Sequence, residues 1–369
     1  MTGLKAALLG TSAAVMTVCG AYAADPVQLD VEGEISTAVG IVDGDARADA
    51  NAEVSVTGST LLDNGIELGA IVSARLDGDQ PRQQFAGGRY SSLLIGGPRG
   101  IAPLDSDAYL QGAAGYVKGP FGQIILGREQ GIARTLAVTS PTIFRAVNVN
   151  NWQTDLSGIN DVHTVNDFTG YSTKFTYMPP ANFLGGALGG IAAGRILLTA
   201  ALYYQHGIGR GSNRLFVGLG ASYITADEDF QTASLAYEDY EAYALGLNLA
   251  YRGITLGGSV KTTNAGIASL EDDGYLAFDA GITFRTGEEK GDVALMLGYG
   301  QAEANVIGPN PLDPTLFRDT RTAQAGVSYV IGRGITVGAA AQYVESDTPV
   351  AAGGPEEAAT VVIESSIKF

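Results

Sequence analysis

Lys118-Gly119-Pro120-Phe121-Gly122-Gln123-Ile124-Ile125-Leu126-Gly127-Arg128 and, further on, Tyr171-Ser172-Thr173-Lys174-Phe175-Thr176-Tyr177 bracket the stretch that decides the fold. The first reads as a turn leading into a strand, and the second as another strand. Between them, Glu129 to Asp167 shows no sustained period of either kind, holds the only tryptophan and is far longer than a hairpin loop. A connection of that length between two strands points to a functional segment.

Outward from it, alternation repeats. Val27 to Ile41 sets Val27, Leu29, Val31, Ile35, Val39 and Ile41 on one face and Gln28, Asp30, Glu32, Glu34 and Ser36 on the other. That is period two over a length that crosses a bilayer at a tilt, for which about 9–11 residues suffice. An acidic loop, Asp43-Gly44-Asp45, leads to a strand at Asn51 to Leu62, a tight Asp63-Asn64-Gly65 turn and a strand at Ile66 to Leu76. A long loop, Asp77 to Asp107, precedes strand four, and Lys118 to Gln123 turns the chain into strand five. After Pro179-Pro180, the glycine-rich Asn182 to Ile191 is assigned as strand seven. Further strands are expected at Arg195–Gln205, Arg214–Thr225, Tyr240–Tyr251, Gly253–Asn264, Tyr275–Arg285, Asp292–Glu303, Arg321–Ile331, Ile335–Glu345 and Ala358–Phe369. Counted in order they make sixteen, and a bacterial single-chain barrel needs an even number, with both termini on the periplasmic side.

The connections sort in agreement. Asp63-Asn64-Gly65, Arg252-Gly253, Thr286 to Gly291 and Gly332-Arg333-Gly334 are short and fall on the periplasmic side. Asp77 to Asp107, Glu129 to Asp167, Ala226 to Asp239, Asn305 to Thr320 and Ser346 to Glu357 are longer and fall outside. On the last strand Val361, Ile363, Ile367 and Phe369 face lipid, while Thr360, Glu364, Ser366 and Lys368 face inward. Tyr177, Tyr223, Tyr251, Tyr275, Tyr299, Tyr329 and Tyr343 lie near strand ends, as in aromatic belts at the headgroups. A soluble sandwich would also carry tyrosines in strands; the strand lengths and the leader favour the membrane.

That leader comprises Lys5, the apolar run Ala6 to Val18, and Ala21-Tyr22-Ala23, the three parts of a secretory signal peptide, so residues 1–23 are expected to be removed. Cys19 lies within it, and Thr17-Val18 before it lacks the small residue of a lipoprotein site. The mature chain then has no cysteine, which excludes disulfides and thiolate metal sites. Loss of Lys5 moves the formal charge from −17 to −18. Such a chain does not suit nucleic acid, whose phosphates are bound by Lys and Arg. With 46% hydrophobic residues, 51 glycines and 17 tyrosines it is also unlike a disordered acidic chain. The longest uncharged run beyond the leader, Phe175 to Gly194, is broken by two prolines and five glycines, so no helix is expected to cross a membrane. A membrane protein of this sequence must be a closed barrel, which satisfies every backbone group in lipid.

The order GPFGQIILGRE, long loop, YSTKFTYMPP resembles the pattern of Gram-negative porins on either side of the loop that folds into the pore. Val54-Ser55-Val56-Thr57-Gly58 followed by Asp63-Asn64-Gly65-Ile66-Glu67-Leu68-Gly69-Ala70 is similar to the opening strands of such porins, especially those of alphaproteobacteria, and the terminal Phe369 also matches. The resemblance implies an all-β, sixteen-stranded transmembrane antiparallel barrel with the loop folded into its lumen. It also implies a homotrimer in the outer membrane, in contact with lipid and lipopolysaccharide, that passes ions and small hydrophilic solutes.

The implied constriction loop contributes the acids Glu129, Asp155, Asp161 and Asp167 and the bases Arg128, Arg134 and Arg145. Inward-phased bases on the wall are Arg75, Lys174, Arg214, Lys261 and Arg285. Where familiar porins carry bases on their first strands, this chain has Asp30, Glu32, Glu34 and Glu53, an acidic wall that would concentrate cations. For any one of these residues a solvated surface position is the plain alternative. A substrate-selective channel with a specific lumen site competes with the general one. His163 and His206 are expected in loops at opposite ends, as surface histidines sharing no metal. Asp43 with Asp45, or Asp272 with Asp273, offers at most a surface Ca²⁺ contact without a full ligand set; no other cofactor is implied. No nucleophile elbow supports a hydrolase, and the modest outer loops argue against an adhesin.

Overall fold

The computed structural model describes residues 26–77, 108–145, 147–150, 155–167, 171–184, 186–194, 197–209, 213–226, 239–264, 274–310, 313–347 and 354–369. The leader at 1–23 with Cys19, nearly all of the 77–107 loop, most of 226–239 and Asp272-Asp273 lie outside them.

Sixteen strands are present among the described residues: β1 (Gln28–Val42), β2 (Asp45–Leu61), β3 (Glu67–Asp77), β4 (Ala108–Gly119), β5 (Gly122–Glu129), β6 (Ser172–Met178), β7 (Leu188–Ala193), β8 (Leu197–Ile208), β9 (Leu215–Ala226), β10 (Tyr240–Tyr251), β11 (Ile254–Thr263), β12 (Tyr275–Arg285), β13 (Val293–Asn310), β14 (Asp313–Gly332), β15 (Ile335–Asp347) and β16 (Glu356–Lys368). Each pairs antiparallel with its neighbours in the chain, and β1 pairs with β16 from Glu34↔Lys368 to Val42↔Thr360, so the sheet closes on itself without an edge. At the seam Gly33 and Phe369 exchange backbone hydrogen bonds of 2.9 and 3.0 Å. The Phe369 ring lies where a Cβ on Gly33 would be, so a larger residue at 33 would displace that terminal ring.

β12 shows why this sequence makes a wall. Leu276, Phe278, Ile282 and Phe284 point outward and are exposed, while Tyr275, Ala277, Asp279 and Thr283 point inward and are buried. A water-soluble protein does not display so large an apolar exterior, whereas a barrel in lipid requires it. Tyr223, Tyr243 and Tyr343 stand on this outer face with their hydroxyls donating to Glu241, Glu241 and Glu357, amphipathic placements that suit the headgroup level.

Several expectations are corrected. Asn305 to Thr320 is not a loop: β13 and β14 stay paired through Asn305↔Phe317 and Ile307↔Thr315 to Asn310↔Asp313. β12 and β15 reach only Ala304 and Asp319, so the hairpin tip is a two-stranded ribbon whose outer edges need no donor, and Pro309 and Pro314 are tolerated there. The Asp43–Asp45 loop is a tight turn in which Asp43 and Gly44 both have positive φ (51° and 98°), the geometry of a two-residue hairpin connection. β7 starts at Leu188 because Pro179-Pro180 ends β6 and a 3₁₀ turn, Ala181–Leu184, follows. Tyr275 belongs to no belt, because its phase on β12 turns it into the interior. His206 lies within β8 rather than in a loop.

Candidate functional site

After β5 the chain makes one helical turn, α1 (Ile132–Thr135), and runs along the inward face of the wall before returning to β6. Inward glycines make room for it. Val138 occupies the space a side chain would take at Gly220 and Gly246, and Phe144 does so at Gly326 and Gly338. Val149 and Val162 lie against Gly298 and Gly300 of β13. The loop buries Ile132, Phe144, Val147, Val149, Leu156 and Val162, giving a barrel that is otherwise polar inside an apolar seam between loop and wall.

Wall carboxylates hold the loop backbone. Asp279 on β12 accepts from the Ser140 N–H (3.1 Å), Asn150 Nδ2 (2.5 Å) and Thr164 Oγ1 (2.8 Å), and also from the N–H and hydroxyl of Ser259 on β11. Glu364 on β16 accepts from the N–H groups of Arg145 (2.6 Å) and Val147 (3.0 Å). Wall bases hold its carbonyls: Arg47 donates to Leu156 and Ser157, Lys261 to Val165, and Arg318 to Ile159. Backbone groups that would be stranded inside a water-poor seam are satisfied in this way.

Between the loop and β1–β3 an opening of ≈ 390 Å³ remains. It is lined by Glu32, Glu34 and Glu53 together with Arg75, Arg134, Arg145 and Lys368. Arg145 Nη1 is 3.2 Å from Glu34 Oε2, the Tyr171 hydroxyl donates to Glu53 (3.3 Å), and Arg75 donates to Asn51 (3.1 Å).

Six of the expected residues therefore meet at one opening: Glu32, Glu34, Glu53, Arg75, Arg134 and Arg145. The others are placed elsewhere. Asp155 is buried and accepts from the N–H groups of Ser157, Gly158 and Asn160, folding the loop on itself. Asp161 is buried 3.7 Å from Arg318, and Asp167 is buried between His163 Nε2 (2.7 Å) and Arg134 Nη1 (2.9 Å). Glu129 ends β5, and its carbonyl accepts from the buried Lys174. Lys261 is covered by the loop it holds, Arg128 donates to the Gln111 carbonyl, and Arg285 donates to the Thr142 carbonyl. Arg214 lies over the Phe216 ring at 4.9 Å, and Asp30 is exposed outside the opening. The acids of the loop sink because a segment enclosed by a wall needs internal acceptors, and carboxylates supply them.

His163 is not a surface histidine. Burial pushes its pKa down against the pull of Asp167. Burial alone would push Asp167 up, but His163, Arg134 and Lys261 outweigh it and hold that carboxyl far below the usual range. The Asp43 carboxylate accepts from the Ala359 N–H (3.0 Å), and among the described residues no group of three or more His, Cys, Asp or Glu side chains is set to hold an ion. Sequence reading missed Lys368, Asp279 and Glu364 as functional residues. The available signal was strand phase, which turns Asp279 inward between Ala277 and Gly281 and Glu364 inward between Val362 and Ser366.

A closed sixteen-stranded barrel with an apolar exterior, a polar interior and a charged opening beside an internal loop is a membrane pore. The profile of the Gram-negative porin family matches residues 11–349, and the chain belongs to that family. It is accordingly an outer-membrane, multi-pass β-barrel protein. Its fold is shared by the anion-selective porin of Comamonas acidovorans (TM-score 0.59, 15% identity, 93% of this chain and 100% of that one). It is shared too by the trimer form of the Vibrio cholerae outer membrane protein OmpT (0.55, 12%, 94% and 100%) and by Salmonella typhi OmpF in complex with daunomycin (0.55, 14%, 92% and 97%). No curated protein matches the sequence.

Proposed function

We propose that the chain forms a water-filled channel through which ions and small hydrophilic solutes diffuse passively, with a preference for cations. The observation that carries this reading is the charged opening left between the internal loop and β1–β3. No chemical step is assigned to it, and the exterior packs against lipid and lipopolysaccharide. Assembly as a homotrimer is supported by the trimer form of OmpT.

The cation preference rests on the acids that share the inward phase of β1 and β2: Asp45, Asp49 and Glu53 along one strand, Glu34, Glu32 and Asp30 along the other. Carboxylates along a low-dielectric wall raise the local cation concentration. At the opening itself three carboxylates meet four bases, so the preference arises in the approaches and is modest. The Comamonas porin is anion-selective on the same fold, which assigns the sign of selectivity to side chains rather than to architecture.

The test is single-channel current across a planar bilayer under a salt gradient. Ohmic steps in groups of three with a reversal potential favouring potassium over chloride support the reading. Absence of steps overturns the channel, and a chloride-favouring potential overturns the cation preference alone.

A further inference from the structure

We infer that the lipid-facing side of β9 and β10 is a binding site for a membrane lipid whose head group carries an ammonium, held against the carboxylate of Glu241. The site is outside the channel, at the end of β10 away from the Arg252-Gly253 turn. Tyr223 and Tyr243 stand directly opposite one another there, their ring centroids 4.9 Å apart and their planes tilted by 36°. In the next outward row Glu241 stands opposite Thr225. Both tyrosine hydroxyls donate to Glu241, one to each carboxylate oxygen, at 3.0 and 3.3 Å, and the Glu241 N–H donates to Asn264 Oδ1 at 2.9 Å. The carboxylate is therefore fixed at the level where the wall leaves the hydrocarbon.

Its charge is not answered in the same way as that of its neighbours. Asp319 on the same outer surface is paired with Arg321 at 2.6 Å, but among the described residues no base is paired with Glu241. The connections 226–239 and 264–274, which follow β9 and β11 at this end, contain five and three acidic residues and no lysine, arginine or histidine. A carboxylate with hydrocarbon on one side has lost part of its water and needs a counter-charge. These surroundings repel anionic head groups and attract a cation. A metal ion would find one carboxylate, short of the six to eight or so oxygen ligands that Ca²⁺ takes. An ammonium needs no such set, and the faces of the two tyrosines attract the carbon atoms beside a cationic nitrogen. The residues directly beside the rings, Ala200 on β8 and Thr262 on β11, are small and leave their flanks open. Toward the middle of the membrane, Leu202 and Leu245 are exposed in the next outward row. Leucine, tyrosine and carboxylate thus follow the order in which a lipid presents its acyl chain, its backbone and its amine.

The experiment is native mass spectrometry of the folded protein in a neutral detergent with a chelator. Equimolar phosphatidylethanolamine and phosphatidylglycerol of identical acyl chains form one pair of probes, and lipopolysaccharide with and without amine substituents forms the other. The expected result is several-fold higher retention of the amine-bearing member of a pair. E241Q is expected to lose this preference, and E303Q, which neutralises an outward acid on β13 opposite Leu276, is expected to keep it. Y223F/Y243F keeps the rings but releases the carboxylate; it is expected to weaken the preference, which keeps the test intact if E241Q fails to fold. Discrimination within either pair that disappears in E241Q supports the site and identifies the lipid that supplies the amine. Equal retention within both pairs, a preference that survives in folded E241Q, or an equal loss in E303Q overturns it. A preference that appears only when magnesium replaces the chelator also overturns it, in favour of a bridging metal ion.

Discussion

Glu364 on β16 accepts the backbone N–H of Arg145 at 2.6 Å, across a sequence separation of 219 residues. With its other oxygen it takes the Val147 N–H at 3.0 Å. A wall residue thereby sets where a loop arginine reaches the opening and meets Glu34. Glu364→Ala strands two loop donors, at about 1–3 kcal/mol for each buried group left unsatisfied. Single-channel records of this variant are expected to show larger and noisier current steps, with Glu364→Gln, which keeps one acceptor, falling between it and the wild type. Records identical to the wild type would show that the loop is held without this residue.

Asp279 joins three points of the loop, Ser140, Asn150 and Thr164, to the β11–β12 wall. Asp279→Ala removes all of these at once. The expected outcome is trypsin cleavage of the folded protein at Arg134 or Arg145, where the wild type resists, with strand content by circular dichroism unchanged. Asp279→Asn retains part of the acceptor capacity and is expected to be cut more slowly.

Gly246 on β10 tests the glycine track. A Cβ there would collide with the Val138 carbonyl, a backbone atom that no rotamer change can move. Gly246→Ala is expected to lift the loop at Val138 and change conductance, while Gly115→Ala, whose Cβ would meet only the Gly69 carbonyl at 3.8 Å, leaves conductance and thermal stability as they are. Equal conductance in both variants would show that the loop yields at no cost to the pore.

These three positions also mark how far the sequence could be read. Alternation identifies strands, phase and barrel because lipid and lumen impose a strict period of two, and β10 and β12 have the expected bounds. The tip of β13–β14 escapes because a ribbon paired only with itself need not alternate. Of the site, Glu32, Glu34 and Glu53 are legible, since strand phase alone turns them inward. The fate of the loop acids is not, because Asp155 facing its own backbone and Glu34 facing the opening look alike in sequence. Asp279 and Glu364 act through contacts more than a hundred residues away, which no local pattern encodes.

The last prediction concerns pH. His163 and Asp167 lie in the loop, 2.7 Å apart, faced by Arg134, Lys261 and Tyr275. His163 has a pKa pushed below 6.5 in the fold, chiefly by burial, so the unfolded chain binds more protons just below 6.5. Its contribution to stability is therefore full above 6.5 and is lost as pH falls toward its folded value. Asp167 is held below its ordinary 3.8, so its contribution is present above 3.8 and is lost as pH falls through its lowered folded value. Asp161 runs the other way: burial raises it, so its contribution is greatest in acid and fades as pH rises through its folded value. The melting temperature is expected to be level above pH 6.5, to decline below it, and to decline again in stronger acid. His163→Gln is expected to flatten the upper decline and leave the lower one. A His163→Gln profile that declines between pH 6.5 and pH 4 as the wild type does would show that His163 makes no contribution to the upper decline.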